Sequence, residues 1–144
     1  MHIKTIQKYK DKSVSRLLGT ATDHFNEYIR LRDTENGIGR CISCSKVLKI
    51  PSAQAQAGHY YSGGNFPLMK FDETNVNLQC KKCNYFLSGN LIEYRKNLLK
   101  KVGEDKINYL DFVAAQQKRS NFKWDRIFLI EIIEKYKLKK KTVK

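Results

Sequence analysis

Two pairs of cysteines, each separated by two residues, constrain this chain more than any other feature of its sequence. The first pair is Cys41 and Cys44, the second is Cys80 and Cys83, and together they are the only four cysteines. A CxxC segment forms a tight knuckle that presents two sulfur atoms to one ion, and zinc prefers a tetrahedron of thiolates at about 2.3 Å. The chain between the two pairs is long enough to fold back and close one such site.

The alternative is that the four thiols are free or form disulfides. It is disfavoured because the sequence has no apolar signal-peptide segment and is far longer than a typical disulfide scaffold. The spacing therefore predicts one structural Zn²⁺ ion in a cytoplasmic protein. Because a four-cysteine site has no open coordination position, this zinc would stabilise the fold and take no part in chemistry.

The charge balance points to a polyanionic partner. The chain of 144 residues has 28 Lys and Arg against 14 Asp and Glu, a formal net charge of +14. Nucleic acid is the first candidate. A membrane surface is the alternative, but the sequence has no apolar run of the roughly 18 residues that suggest a spanning helix, and no lipidation motif. We therefore predict DNA as the partner and no membrane.

The length predicts a single domain, within which the character of the sequence changes along the chain. The first segment is basic and polar without periodicity, which predicts an arm without an element of its own. Apolar residues then recur at helical spacing up to the Asn36-Gly37 turn. The final lysines form either a DNA-binding tail or a solvated surface. The predicted division is a basic arm (1–12), a helix (13–35), a core (38–102), a helical cap (103–138) and a basic tail (139–144).

Alternating patterns predict short strands in the core. These are expected at residues 46–50, in the segment that ends near His59, and at residues 66–71, with His59 at the edge of a small hairpin. Asn90 would cap a helix over residues 91–102. The predicted helices that follow cover residues 107–117 and 124–138. The last of these is apolar on more than one face, so it lies in the core, or alternatively contributes to a homodimer interface.

The polar residues of the core follow an order that resembles the HNH endonucleases of the His-Me finger (ββα-metal) group. That family carries a histidine at a strand end, an asparagine in the next loop and a histidine or asparagine just after a CxxC. The resemblance is closer to the lambdoid-phage NinG/Rap recombination nucleases, in which QAGHY, CxxCN and LSGN-L-x-E-Y-R recur. The matching segments here are Cys41 to Cys44, Gln56–Tyr60, Asn77-Leu78-Gln79, Cys80–Asn84 and Leu87–Arg95, all within residues 38–102.

The resemblance implies an α+β fold, in which a zinc-stapled ββα-metal (HNH-like) core has a helix before it and a helical cap after it. It also implies roles for three residues. His59 would be the general base, Asn77 would orient its ring, and Asn84 would bind the catalytic Mg²⁺ or Mn²⁺. A nuclease of this type needs such a base and such a cation. The structural alternative for His59 is a histidine buried in a hairpin with its polar atoms satisfied.

One residue departs from the family pattern. Many HNH enzymes have an acidic metal ligand directly before the histidine, where this chain has Gly58. A single asparagine is a weak Mg²⁺ site, because that ion usually takes one or two carboxylates. Further ligands could come from Asp72, Asn90 or Glu93, of which Glu93 is the main candidate. Its alternative role is that of an exposed helix carboxylate paired with Arg95 or Lys96.

Basic residues around these motifs are candidates for phosphate contacts, namely Lys70, Lys81, Lys82 and Arg95. Tyr60 and Tyr61 could stack on exposed bases, although strand tyrosines are more often half-buried. The resemblance thus implies a divalent-metal-dependent DNA endonuclease that cuts branched recombination intermediates such as Holliday junctions and D-loops. The alternatives are an HNH nuclease that nicks ordinary duplex DNA and a non-catalytic zinc-finger module that binds nucleic acid.

Overall fold

The computed structural model describes residues 1–117 and 121–143, and the fold is the mixed α+β class that the sequence predicts. The described helices are α1 (Ile3–Lys8), α2 (Val14–Arg32), α3 (Leu91–Val102), α4 (Glu104–Gln117) and α5 (Arg126–Thr142). The strands are β1 (Thr34–Glu35), β2 (Ile38–Arg40), β3 (Val47–Lys49), β4 (Ala55–His59) and β5 (Val76–Cys80). A 3₁₀ turn covers Pro67–Met69 and a π-helical turn covers Lys82–Phe86.

Helices α2 and α5 form the largest apolar core of the molecule, and we call them the helix pair. The Ser13 hydroxyl accepts a hydrogen bond from the Arg16 amide at 3.1 Å and so caps the first turn of α2. The apolar stripe of α2 packs on the apolar faces of α5, as the sequence of α5 predicts. Its residues are Leu17, Ala21, Phe25, Tyr28 and Ile29, which meet Leu129, Ile130, Ile132, Ile133 and Tyr136. Burial of each of the Leu, Ile and Phe side chains in this list stabilises the fold by roughly 1.5–3 kcal/mol.

The sheets are small and antiparallel. Strands β1, β2 and β3 form one sheet in that order, and β4 pairs with β5 in a separate ribbon. In the ribbon, His59 is opposite Val76 and Gly58 is opposite Asn77. Side chains of directly opposite residues share a face, and neighbours along a strand alternate. His59 therefore lies on one face of the ribbon and Asn77 on the other.

A second helical core supports the ribbon from the side of α3 and α4. Its buried residues come from the 3₁₀ turn and from both helices: Met69, Tyr94, Leu98, Ile107, Leu110 and Ala114. Asn90 precedes α3 as predicted, but its backbone is left-handed, with φ 43°. No side-chain bond caps the helix, and the Asn90 side chain instead donates from Nδ2 to Cys83 Sγ at 3.5 Å.

Three local predictions were wrong. The arm contains α1, and it is anchored because Tyr9 is buried and its hydroxyl donates a hydrogen bond to the Glu134 carboxylate. Residues 66–71 contain the 3₁₀ turn Pro67–Met69 and no strand, because Met69 is buried in the second helical core. Strand β4 pairs with β5 instead. The basic tail begins as part of α5. Lys144 of that tail and residues 118–120 of the helical cap lie outside the described residues.

Among the residues that the structure describes, none of the helices combines the length and the apolarity that crossing a membrane requires.

Candidate functional site

The four cysteines converge on one point. Cys41 follows β2 directly, Cys80 is the last residue of β5, and each begins one knuckle. All four Sγ atoms lie within 4.8 Å of one another. Sulfur atoms at about 2.3 Å from a central zinc ion stand about 3.8 Å apart, and Cys44 Sγ is 3.8 Å from Cys80 Sγ. A disulfide would require about 2.05 Å. The four thiols could therefore hold a metal ion such as zinc.

Backbone amides point at the sulfur atoms within both knuckles. The Cys44 amide faces Cys41 Sγ at 3.5 Å, and the Cys83 amide faces Cys80 Sγ at 3.4 Å. Such donors favour the thiolate form, which is the form that binds a metal. We call the two knuckles together with the β4–β5 ribbon the knuckle region.

His59 and Asn84 line one open cavity of about 580 Å³ beside the ribbon. The other described residues of its wall are aromatic, small or uncharged: Ala57, Tyr60, Tyr61, Ser62, Gly63, Asn65, Phe66, Ser88, Gly89 and Leu91. The structure therefore brings His59 and Asn84, the predicted base and the predicted metal ligand, to one cavity, although no carboxylate lies among the described wall residues.

A backbone contact fixes the histidine ring. His59 Nε2 lies 2.9 Å from the carbonyl oxygen of Lys70. A carbonyl only accepts hydrogen bonds, so Nε2 carries the proton and the neutral ring presents the lone pair of Nδ1. Burial lowers the pKa of His59 below its ordinary value and outweighs the hydrogen bond to the Lys70 carbonyl, which raises it; the charge of Lys70 also lowers it. The ring is therefore neutral at pH 7, which is the form that a general base requires.

Asn84 is oriented by a residue for which the sequence predicts no separate role. The Asn84 Nδ2 group donates to Gln56 Oε1 at 2.8 Å, and Gln56 Nε2 donates to the Ala53 carbonyl at 3.2 Å. This chain of donors fixes both amides, so Asn84 turns its Oδ1 atom away from Gln56. An amide oxygen is a suitable ligand for Mg²⁺. Gln56 belongs to the QAGHY segment, but only the fold shows its contact with Asn84.

Asn77 does not orient His59, and this prediction was wrong. It lies on the opposite face of the ribbon because it pairs with Gly58. Its Oδ1 accepts from Lys101 at 2.6 Å and from Arg32 at 3.2 Å, and its Nδ2 donates to the Tyr94 hydroxyl at 3.2 Å. Asn77 therefore joins the ribbon to α2 and α3.

Asn75 was missed by sequence reasoning, and it organises the loop after His59. It is fully buried. Its Oδ1 accepts from the Tyr61 amide at 2.9 Å, and its Nδ2 donates to the carbonyl oxygens of Tyr61 at 2.8 Å and Met69 at 3.1 Å. These bonds hold both ends of the loop that carries Lys70. The available signal was a second asparagine two residues before Asn77.

The glycine before His59 has a steric cause. A Cβ atom on Gly58 would lie 1.9 Å from Gln79 Oε1. Gln79 cannot easily move, because its Nε2 donates to the Gly89 carbonyl at 2.7 Å and to the Ser43 hydroxyl at 2.9 Å. An acidic side chain has no room at position 58, so the ligand that many HNH enzymes carry there is excluded by packing.

The structure does not bring the candidate carboxylates to the cavity, which contradicts Glu93 as a metal ligand. Glu93 is exposed on α3 and accepts from Lys96 at 3.1 Å, the alternative role considered for it. Asp72 instead accepts from the Thr74 amide at 2.8 Å and stabilises a turn. Asn90 is engaged with Cys83.

Three of the four predicted phosphate contacts remain compatible with the structure. Lys81 is half-buried and Lys82 is exposed, both on the second knuckle. A Cβ on Gly63 in the cavity wall would lie 3.3 Å from Lys70 Nζ, so this amine stands at the rim. Arg95 is already engaged, since its guanidinium pairs with Asp111 at 2.8 Å.

The two tyrosines after His59 are half-buried and contact the same ion pair of Arg95 and Asp111. Tyr61 donates to Asp111 Oδ1, and Arg95 donates to the Tyr60 hydroxyl at 3.1 Å. Hydrogen bonding from Arg95 holds the pKa of Asp111 below its ordinary value despite some burial. Burial, followed by the Asp111 contact, raises the pKa of Tyr61 to about 12. Base stacking by Tyr60 or Tyr61 would have to compete with these contacts.

Comparison with known proteins finds one family and several curated relatives. The family model described as "Bacteriophage Lambda NinG protein" matches residues 2–144. Protein ninG of Escherichia phage 933W is 36% identical over 106 residues, which is 74% of this chain and 50% of that protein. Protein ninG of Salmonella phage P22 is 34% identical over 134 residues, 93% of this chain and 62% of the relative. The protein of the same name in Escherichia phage lambda is 35% identical over 106 residues, 74% and 49% of the two chains.

This chain spans about half to three fifths of the length of these relatives. No solved structure matches it.

Proposed function

Because the chain belongs to the NinG family of bacteriophage proteins, we propose that it is a divalent-metal-dependent DNA endonuclease with an HNH-like ββα-metal core. Its substrates are branched recombination intermediates of the Holliday-junction or D-loop type. The observation that carries the proposal is that His59 and Asn84 line the same open cavity, and a hydrogen bond to a neighbouring residue orients the side chain of each. The branch preference follows from the sequence resemblance to recombination nucleases.

The cysteine cluster supports this site as a structural zinc centre. Cys80 ends the strand that pairs with the His59 strand, and Cys83 lies one residue before Asn84. Zinc held by Cys41, Cys44, Cys80 and Cys83 thus fixes the spacing between base and metal ligand. Four thiolates complete its coordination, so it adds no reactive position.

His59 acts as the base in this scheme. Nδ1 takes a proton from a water molecule as the water attacks the phosphorus atom, while Nε2–H stays bonded to the Lys70 carbonyl. The ring therefore keeps its orientation as it becomes charged. Lys70 at the rim contributes positive charge beside the scissile phosphate.

Asn84 Oδ1 would be the protein ligand for the catalytic cation. A Mg²⁺ or Mn²⁺ ion bound there would stabilise the negative charge that develops on the leaving oxygen. Since the described wall carries no carboxylate, phosphate oxygens and water must complete the ligand set. Cation affinity should therefore be weak in the free protein and rise when DNA is bound.

The direct test is His59→Ala, with His24→Ala on α2 as a matched control. Labelled four-way junction, splayed-arm DNA and linear duplex are incubated with Mg²⁺, Mn²⁺ or neither. His59→Ala should lose on the order of 10²–10⁴ in cleavage rate, the usual contribution of a general base. It should keep its zinc, its melting temperature and its affinity for the junction, because phosphate contacts come from other residues.

The pH dependence gives a second readout on the same protein. Burial holds the pKa of His59 below its ordinary value of about 6.5. The midpoint of the rise in cleavage rate that marks deprotonation of the base should therefore lie below about pH 6.5. A midpoint above pH 7 would assign the base to another group.

The cation ligand is tested separately. Asn84→Ala should lose cleavage and be partly rescued by raised Mn²⁺, whereas His59→Ala should not be rescued. Gln56→Ala should resemble a milder Asn84→Ala, because it only removes the partner that orients that amide.

Each alternative predicts a distinct result. If wild type cuts no DNA with either cation, the chain is a non-catalytic binding module. Equal rates on duplex and junction would make it a nuclease of ordinary duplex. A His59→Ala protein that cuts at the wild-type rate would end the assignment of this residue, and one that loses its zinc would make His59 structural.

A further inference from the structure

The second knuckle exposes two adjacent aromatic side chains. Tyr85 is 71% exposed and Phe86 is 67% exposed. Their ring centroids lie 5.0 Å apart with an angle of 84° between the planes. Large apolar side chains exposed together are unfavourable in water and typically mark an interaction surface. We call Tyr85 and Phe86 the aromatic pair.

The segment that carries the aromatic pair is firmly held. It belongs to the π-helical turn Lys82–Phe86, which contains the buried thiol of Cys83. The Leu87 amide donates to the Lys82 carbonyl at 2.9 Å, and the Gly89 amide donates to the Cys83 carbonyl at 2.8 Å. The pair is thus presented by a fixed turn, so little backbone entropy would be lost when a partner binds it.

The pair stands close to the site and among positive charges. Tyr85 and Phe86 directly follow Asn84, so their Cα atoms lie within about 8 Å of the Cα of that residue. Lys81 and Lys82 stand in the same segment on the other side of Cys83. Residues 81–86 therefore carry two lysines, the cavity-lining Asn84 and two exposed aromatic rings.

We propose that the aromatic pair stacks on unpaired nucleobases of the DNA strand whose phosphate lies at His59 and Asn84. Lys81 and Lys82 hold the phosphates that flank those bases. The inference rests on the proposed function, and it names the feature of branched DNA that this site selects, namely bases without a pairing partner. Base–aromatic stacking accepts any base, since every base has a π face.

Charge complementarity favours nucleic acid over a second copy of the chain as the occupant. A two-fold symmetric interface would place the same patch of both copies together. Lys81 and Lys82 of each copy would then face those of the other, in a protein whose formal net charge is already +14. Like charges at such an interface are costly, whereas phosphates beside the bases neutralise them.

The experiment compares the Tyr85→Ala, Phe86→Ala double variant with a matched control, Tyr109→Ala, Phe112→Ala. The control rings are also exposed, at 61% each, but they lie on α4. Binding is measured without Mg²⁺ or Mn²⁺ on splayed-arm DNA with unpaired bases and on a linear duplex with the same number of phosphates. A 2-aminopurine at the fork reports stacking through its fluorescence.

We expect the double variant to lose on the order of ten-fold or more in affinity for the splayed-arm DNA, with duplex affinity unchanged. The 2-aminopurine should be quenched by wild type and by the control but not by the double variant. Phe86→Tyr should retain the quenching, and Phe86→Leu, which keeps the apolar surface without the ring, should reduce it.

Equal loss of affinity for both DNAs, or unchanged quenching, would overturn the proposal. So would a wild type that sediments as a dimer and a double variant that sediments as a monomer, because the occupant would then be a second copy. Since binding is measured without catalysis, a failure of the nuclease assignment through His59→Ala leaves these results unaffected, and the two failures are distinguishable.

Discussion

The helix pair and the knuckle region are held together by different forces. The helix pair buries a continuous set of apolar side chains, in which the rings of Phe25 and Tyr136 pack edge-to-face with their centroids 4.8 Å apart. The knuckle region places Leu78 in a small apolar cluster with Leu48 of β3, contributes Val76 to the core of the helix pair, and gathers its four sulfur atoms around one point. The helix pair is stabilised mainly by burial of apolar side chains, whereas the four thiols of the knuckle region could be held together by a metal ion. The candidate site lies beside the ribbon of the knuckle region.

The largest expected effect comes from breaking the cysteine cluster. Cys80→Ser should lose the metal, because one of its four thiolate ligands is removed. The knuckle region should then be strongly destabilised, because binding of a structural zinc supplies on the order of 10 kcal/mol of folding free energy. The amides of β4 and β5 should lose protection from hydrogen exchange while those of α2 and α5 keep part of theirs. Elemental analysis and hydrogen exchange measure the two effects.

The control for that variant is Lys82→Ser, an exposed position in the same turn, which should keep its zinc. A Cys80→Ser protein with one zinc per chain, or freshly purified wild type without zinc, would contradict the four-cysteine site.

The next effect is in the helix pair. Ile130→Ala should reduce the free energy of unfolding by about 2–5 kcal/mol, because it leaves a cavity against α2. Zinc content and cleavage by the remaining folded protein should not change. Leu138→Ala on the same helix is the control, since Leu138 is exposed and should cost little. If Ile130→Ala also released zinc, the two regions would be a single cooperative unit.

The third prediction concerns Asn75, whose buried side chain holds the loop between Tyr61 and Lys70 by hydrogen bonds. Asn75→Ala leaves the backbone groups of Tyr61 without partners, which should cost about 1–3 kcal/mol. The loop that positions Lys70 should loosen, so cleavage should fall by more than DNA binding does. Asn108→Ala, an exposed position on α4, is the control. An Asn75→Ala protein with full activity would show that the loop holds itself.

The smallest effect is expected at the end of α5. Lys140 pairs with Glu27 at 3.0 Å and contacts His24, so it is engaged within the protein. Lys140→Ala should change stability by less than about 1 kcal/mol and leave the salt dependence of DNA binding unchanged. Lys82→Ala should instead reduce, by about one, the steepness with which the logarithm of the DNA-binding constant falls with the logarithm of the salt concentration. A similar drop for Lys140→Ala would show that this end of the helix binds phosphate.

Some features of the site were predictable because they depend on short-range patterns. The spacing of the cysteines is enough to predict that they meet, and the alternation around His59 is enough to place it at a strand end. The apolar faces of α5 likewise predict its burial. These conclusions need no knowledge of which distant segments pack together.

The remaining features depend on contacts between distant parts of the chain. Asn77 and Asn75 look alike in sequence, yet Asn77 lies in β5 and contacts Arg32 of α2, whereas Asn75 lies just before the strand and bonds to the backbone of Tyr61. Gln56 orients Asn84, which is 28 residues away. Arg95 was expected to bind phosphate, but it pairs with Asp111 on α4. A pattern within a single segment does not specify its long-range partner.

The contact between Gly58 and Gln79 limits how this site can evolve. Gln79 fills the space that a side chain at position 58 would need, and it also ties Ser43 to Gly89. A carboxylate directly before His59 cannot arise by a single substitution, because Gly58→Asp collides with Gln79. Shortening Gln79 first would remove its bonds to Ser43 and Gly89 before anything is gained. The two positions therefore form an epistatic pair, in which a side chain at position 58 requires a smaller residue at position 79.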